Sequence, residues 1–380
     1  MGARQNPFVF GEIVEKKSGF VDREEELRKL VRDLIDGQKI FLLSPRRFGK
    51  SSLVAVAFSD LRKQGIRTVN LPVSSYASYA QFLEKFAQQV LRMSGKWDQV
   101  KAWVSEFLKR VRPELSIDSV TGEVTVGLRG VGFDPRPIAS DVFAMPGELA
   151  RKAGLRMAIC LDEFQQIANF DSESVENALR NEVQKQRQVG YVFAGSQPSL
   201  VEEMLSRGPP SHGSGPKMFL DKIGADIWRE FILQEFHRRK RKLSKQALDE
   251  LLRASDLIPY DVQRIAHELW DYAELADKHK IDVDDLNRVI HTLVSSQSVL
   301  YERTWQLLTL RQRAVLRAGV QRGMSGLLSA AVREAYGLGP PSSVQKALQS
   351  LDAQDILDRY KNEYFVVDPI FAAWVRKITQ

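Results

Sequence analysis

The chain has 380 residues and a net charge of +7, long enough for two or three domains that each bury a core, and basic enough for polyanions to be reasonable partners. A single cysteine, Cys160, excludes an internal disulfide framework. No segment approaches the roughly 18 uninterrupted apolar residues of a membrane helix, so the expectation is a cytoplasmic protein with no membrane partner.

In chain order, "MGARQN" opens with Met-Gly, but Asn6 stands where a myristoylation signal wants Ser or Thr. "FVDREEEL" reads as a helix start, with Asp22 as N-cap and Glu25 three residues on, a capping box by sequence. "KIFLLS" then precedes a helix from about Lys50 to Gln64, "RTVNLPV" precedes helical segments over Tyr79 to Arg112, and "RMAICLDE" precedes a helix near Glu173 to Arg187. "GYVFAGS" is followed by another helix from about Ser199. Short runs that are apolar on both sides fit strands buried between helix layers, which predicts an α/β fold with a mostly parallel sheet. Cys160 lies inside one such run and reads as a small core residue.

"LSIDSVTGEVTVGLRGVGF" alternates with period two around Thr121-Gly122 and reads as an inserted β-hairpin over about residues 115–133. "SRGPPSHGSGPK", Ser206 to Lys217, reads as a mobile loop. From Ala225 the strand patterns stop and helices are expected over Asp226 to His237, Ser244 to Ala254, Pro259 to Leu275 and Val283 to Ser296. "HRRKRK", His237 to Lys242, is the densest basic run, read either as a helix C-terminus or as a nucleic-acid patch. Three further helical patterns and two short strands joined at Lys361-Asn362 make a winged helix-turn-helix.

"SPRRFGKSSL" carries the chemistry. The phosphate-loop pattern G-x-x-x-x-G-K-[ST] holds at Gly49, Lys50 and Ser51, with Ser44 in place of the first glycine. Ser44, Pro45, Arg46, Arg47, Phe48 and Ser52 are the loop's other candidates for nucleotide binding; Gly49 would let the backbone turn so that its amides face phosphate oxygens, Lys50 would bridge the β- and γ-phosphates, and the Ser51 hydroxyl would reach Mg²⁺. Arg46 and Arg47 are candidates for phosphate contacts, for a neighbouring subunit or for salt bridges. At the end of "AICLDE", Asp162 is placed to hold the metal shell and Glu163 to polarise an attacking water. Ser196, ending another strand, is placed to sense the γ-phosphate; Gln165 and Gln166 either orient water or begin a polar helix face. The five histidines lack paired spacing, which leaves the nucleotide's own Mg²⁺ as the expected metal.

These blocks, with "IPYDVQRIAHELW" and "VVDPIFAAW", resemble in order and over nearly the whole chain the archaeal-type ATPase family, AAA+-related proteins of the STAND group. The resemblance implies a P-loop NTPase core in AAA+ strand order over residues 1–224, a helical lid over 225–297 and a C-terminal winged helix over 298–380. It implies ATP as the nucleotide, Phe20, Val21 and Arg23 as residues near the adenine, and Pro259 as the lid proline. Arg264 lies in the block where a lid arginine is sought, and no arginine finger is evident.

The expected function is an ATP-hydrolysing switch that exchanges ATP and ADP and acts on or near double-stranded DNA. Its recognition helix would present Ser342, Ser343, Gln345, Lys346 and Gln349, with Arg359 and Lys361 at the wing, while Val344, Leu348 and Leu351 face the core. The alternative is a regulatory or scaffold protein that holds nucleotide and uses its winged helix to bind a protein partner or a second copy of itself.

Overall fold

The computed structural model describes residues 6–14, 19–93, 114–117, 124–127, 134, 136–170, 172–197, 215–361 and 363–379. By their contacts they form two compact units, a sheet unit of Arg23–Ser44 with Lys50–Leu220, and a helical unit of Met1–Asp22, Pro45–Gly49 and Asp221–Gln380.

In the sheet unit, α1 (Glu24–Ile35) leads into β1 (Lys39–Leu43), α2 (Lys50–Lys63), β2 (Arg67–Pro72) and α3 (Tyr79–Arg92). An antiparallel pair of β3 (Glu114–Ile117) and β4 (Val124–Gly127) follows, the turn expected at Thr121-Gly122 lying outside the described residues, then α4 (Arg136–Ala153), β5 (Met157–Asp162), a 3-10 turn (Phe164–Asn169), α5 (Ser172–Val183), β6 (Val189–Gly195) and β7 (Lys217–Phe219). Strands β1, β2, β5, β6 and β7 form a parallel sheet in the order β2-β5-β6-β1-β7, the AAA+-like arrangement expected from the resemblance. All seven residues of β6 are buried, which explains its unbroken apolar sequence, whereas β2 at one edge buries only Leu71 and exposes Arg67, Asn70 and Pro72. Cys160 is 1% exposed and burial pushes its thiol well above the ordinary range, as a core residue requires.

Register brings the strand ends level. Leu43 of β1 pairs with Gly195 of β6, and Leu161 of β5 pairs with Phe193, so Ser44, Asp162 and Ser196 emerge at the same carboxyl edge of the sheet. Open α/β sheets bind ligands at that edge.

In the helical unit, α6 (Ala225–Arg238), α7 (Lys245–Ala254), α8 (Pro259–Leu275) and α9 (Val283–Ser296) follow the expected pattern closely. Then come α10 (Ser298–Leu307), α11 (Leu310–Arg322), α12 (Ala330–Ala335), α13 (Pro341–Ala353), the wing strands β10 (Leu357–Tyr360) and β11 (Glu363–Val366), and α14 (Pro369–Ile378). One hydrophobic cluster runs from Trp228 and Trp270 through Leu316 and Leu351 to Trp374. Val344, Leu348 and Leu351 of α13 are buried in it, as their spacing predicts.

Several expectations are corrected. Asp22 does not cap α1: Arg23 is the N-cap, with no side-chain cap bond, and Asp22 and Arg23 both have positive φ, 57° and 81°. Lys217 begins β7 instead of ending a loop, while residues 206–214 of that segment, the helix expected from Ser199 and the helical stretch expected beyond residue 93 lie outside the described residues. Strands do not cease after Ala225, since β8 (Lys242–Leu243) and β9 (Lys280–Ile281) pair in parallel. That pairing breaks up "HRRKRK": α6 ends at Arg238, Lys240 turns with positive φ, and buried Arg241 pairs with Glu274 at 3.4 Å. Three-residue β7 was hidden by its proline-rich approach. Gly215 is needed there because a Cβ would lie 1.7 Å from the Lys39 carbonyl oxygen.

Candidate active site

The sheet unit holds one part of the expected site. Lys50, the first residue of α2 and 6% exposed, donates to the Ser44 carbonyl at 2.7 Å and lies 3.5 Å from the Ser44 hydroxyl. The loop therefore folds back on its own lysine. Ser51 donates to an Asp162 carboxylate oxygen at 3.2 Å, and Ser52 is half-buried in the same helical turn. Burial raises the Asp162 pKa, the Glu163 charge adds to that, and Lys50 and Ser51 pull the other way. A half-buried carboxylate with a hydroxyl beside it and incompletely compensated charge suits a hard cation, so the donor set fits Mg²⁺.

Glu163 sits in the left-handed region, φ 53°, where the chain leaves β5 for the 3-10 turn. Its carboxylate accepts from the Ser196 hydroxyl and from the Gln165 amide, each at 2.5 Å, and that amide also reaches Ser196 at 2.9 Å. Gln165 is 2% exposed, and its carbonyl oxygen is buried without a hydrogen-bond partner. An orphaned acceptor beside a carboxylate can be satisfied by a water. For Gln165 and Gln166 the sequence leaves water orientation and a polar helix face both open; the 3-10 turn separates the two residues, with Gln165 turned to Glu163 and the Gln166 side chain accepting from Asn169. Arg23, also in this unit, pairs with Glu26 at 2.9 Å and is 6% exposed.

In the helical unit, the loop residues Pro45 to Gly49 carry two left-handed positions, Arg47 at φ 69° and Gly49 at φ 94°. Ser44 is not among the positive-φ residues, so its position does not demand glycine. Arg46 pairs with Asp355 at 2.6 Å. Arg47 reaches Asp261 at 3.1 Å and Asp368 at 3.3 Å and lies over the Tyr260 ring. Phe48 is buried with Ile258 and Phe365. Val21 belongs to the large hydrophobic cluster, Phe20 is half-buried, and Pro259 is the first residue of α8. Arg264 is 3% exposed and faces Asp368 at 3.6 Å and Asp261 at 3.9 Å, so it is engaged with carboxylates.

The winged helix exposes Ser342, Gln345, Lys346 and Gln349 on α13, with Ser343 half-buried. Its wing cations are engaged: Arg359 lies 3.4 Å from Asp352 and donates to the Tyr364 hydroxyl, and Lys361 lies 3.3 Å from Asp221.

A family model described as an ATPase domain predominantly from Archaea matches residues 20–265. The chain belongs to that ATPase family. A second model, described as a probable winged helix domain, matches residues 299–377. Among solved structures, the Walker-type ATPase PABY2304 of Pyrococcus abyssi is similar at 17% identity and a TM-score of 0.63, over 96% of this chain and 99% of its own. The ORC1 protein of Aeropyrum pernix, determined in complex with DNA, is similar at 13% identity and a TM-score of 0.52, over 96% of this chain and 95% of its own. At these identities the likeness is one of fold. No curated protein matches in sequence. Among the described residues no helix is long and apolar enough to cross a membrane.

Proposed function

We propose that the chain is an ATP-driven switch of three parts: a P-loop core over residues 1–224, a lid over 225–297 and a winged helix over 298–380. The observation that carries it is the meeting of Lys50, Ser51, Asp162, Glu163 and Ser196 at one carboxyl edge of the sheet. Lys50 and the loop amides hold the phosphates, Ser51 and Asp162 hold Mg²⁺, and Mg²⁺ when bound neutralises charge on the phosphates. Glu163 takes the proton of an attacking water. Gln165 and Ser196 fix the Glu163 carboxylate and report what occupies the site beside it. Phe20, Val21, Arg23 and Pro259 remain the candidates for the adenine end, with Ser52 and the loop residues Pro45 to Gly49 at the phosphates.

For the partner, double-stranded DNA is the first reading, since α13 presents Gln345, Lys346 and Gln349 to solvent with half-buried Ser343 beside them. The engagement of Arg359 and Lys361 by acids and tyrosines of their own unit favours a second reading, in which the winged helix works as a protein-docking module.

The experiment is the ATPase rate with and without double-stranded DNA, at low and moderate salt. We expect Lys50→Ala to abolish nucleotide binding and Glu163→Gln to retain binding while turnover falls at least about a hundredfold. Unchanged turnover in Glu163→Gln overturns the catalytic assignment. Stimulation by DNA that fades with salt supports the DNA reading; binding of nucleotide with no DNA response supports the docking reading.

A further inference from the structure

The loop residues Arg46, Arg47 and Phe48 are all held by the lid and winged-helix segments of their own unit. Arg46 pairs with Asp355, and its amide donates to Asp358 at 3.2 Å. Phe48, 1% exposed, packs with Ile258 and Phe365, and its ring centroid is 5.5 Å from that of Tyr360. The Arg47 carbonyl accepts from the Tyr260 amide at 3.2 Å. Its guanidinium donates to both Asp261 oxygens, at 3.1 and 3.3 Å, and to Asp368 at 3.3 Å.

Behind that guanidinium stands a second one. Arg264 faces the same two carboxylates at 3.6 and 3.9 Å, beyond ordinary hydrogen-bond length, and its Nη2 is buried without a hydrogen-bond partner. Tyr301 donates to Asp368 at 3.2 Å. Two cations thus balance two acids, with the nearer cation on the phosphate loop. A guanidinium binds a carboxylate and a phosphate oxygen through the same forked donors, so those engaged by the acids are withheld from phosphate. Were Arg47 drawn off, Arg264 and Tyr301 would remain beside the acids, and Asp261, 0% exposed, would not be left as an isolated buried charge.

We propose that Arg47 is a phosphate-responsive latch: Asp261 of the lid and Asp368 of the winged helix hold it, and a nucleotide phosphate on the loop competes for the same guanidinium. The proposal rests on the reading of Lys50 and its loop as a nucleotide site. Occupied by a triphosphate, the loop releases Arg47 and loosens the start of α14, whose Ile370 and Phe371 amides Asp368 caps. The winged helix is thereby informed of the nucleotide without touching it.

The test is a double-mutant cycle on the affinity of a fluorescent ATP analogue with Mg²⁺, using the full chain as wild type, Asp368→Asn, Arg47→Ala and both together. Asparagine still caps α14 but lacks the charge. Asp368→Asn should bind the analogue roughly threefold to tenfold more tightly, and Arg47→Ala should erase that gain. Unchanged or weaker binding in Asp368→Asn, or an equal gain with and without Arg47, overturns the latch. A wild type that binds no analogue, like Lys50→Ala, overturns the nucleotide reading and the latch with it. Amide exchange on the wild type is independent of any variant. ATP should speed exchange at Ile370 and Phe371, and no change there under saturating ATP also overturns the latch.

Discussion

Ser44 stands where phosphate loops carry their first glycine, yet its backbone does not use a glycine conformation, and the acceptor it offers Lys50 is a carbonyl that any residue would supply. Gly49 is different, because its φ of 94° is unfavourable to any side chain although there is open space for a Cβ. Ser44→Gly should therefore leave ATP affinity within about twofold and cost stability of about 0.5–1 kcal/mol, whereas Gly49→Ala should weaken ATP binding at least about tenfold. Titration of both variants with the same ATP analogue checks this, and equal losses would show that the loop does need glycine at both places.

Asp261 gives a pH dependence at the same scale. Burial pushes its carboxyl up to about 7 from an ordinary 3.8, with Asp368 pushing the same way and Arg47 and Arg264 pulling against it. For Asp368 burial also acts upward, but Arg47 and Arg264 outweigh it and its pKa is lowered. The folded chain thus holds the Asp261 proton more tightly than the unfolded chain. Its contribution to stability is full below 3.8 and is lost as pH rises through about 7, while that of Asp368 is lost as pH falls. Replacing Asp261 by Asn should make the melting temperature fall less between about pH 5 and pH 8 than in wild type, by roughly 2–5 °C. Thermal scans across that range decide it, and identical slopes would remove Asp261 as the source.

At the scale of elements, capping shows how pattern and backbone must agree. An acid three residues after an Asp at a helix start is present at Asp22 and at Asp282. It works at the second site, where Asp282 is extended, φ −113° and ψ −175°, and exchanges hydrogen bonds with Asp285 across the first turn of α9. At Asp22 two successive left-handed residues redirect the chain, and no such exchange forms. Asp282→Ala should cost about 1 kcal/mol and lower the melting temperature by about 2–4 °C, whereas Asp22→Ala should cost less than about 0.5 kcal/mol. Chemical denaturation of the two variants side by side tests the difference. Long periodic helices such as α8 and α9 were legible to the residue. Short β7, β8 and β9 were not, because a two- or three-residue strand exists only through the partner it pairs with.

At the scale of the molecule, the fold class followed from buried apolar runs alternating with helices, but the strand order came from pairing between distant segments, such as Leu43 with Gly195. If the nucleotide site works as proposed, saturating Mg²⁺-ATP should stabilise the whole chain by about 2.7 kcal/mol at a hundredfold excess over Kd, and Lys50→Ala should lose that gain. Differential scanning with and without Mg²⁺-ATP reads this directly, and an equal shift in both proteins would place the ligand elsewhere.

The sequence by itself determined the local chemistry: the strand–loop–helix that ends in Gly49-Lys50-Ser51, the acids that close β5, and the apolar spacing that seats α13 in its cluster. These are decided by neighbours along the chain, through periodicity, backbone freedom and side-chain type. Only the tertiary structure decided that Gln165 and not Gln166 faces Glu163, that Arg264 is committed to carboxylates, and that Arg47 is gripped by Asp261 and Asp368. Those partners lie as far as 321 residues apart, and the energy of a buried charge depends on what surrounds it in space, which no local pattern encodes.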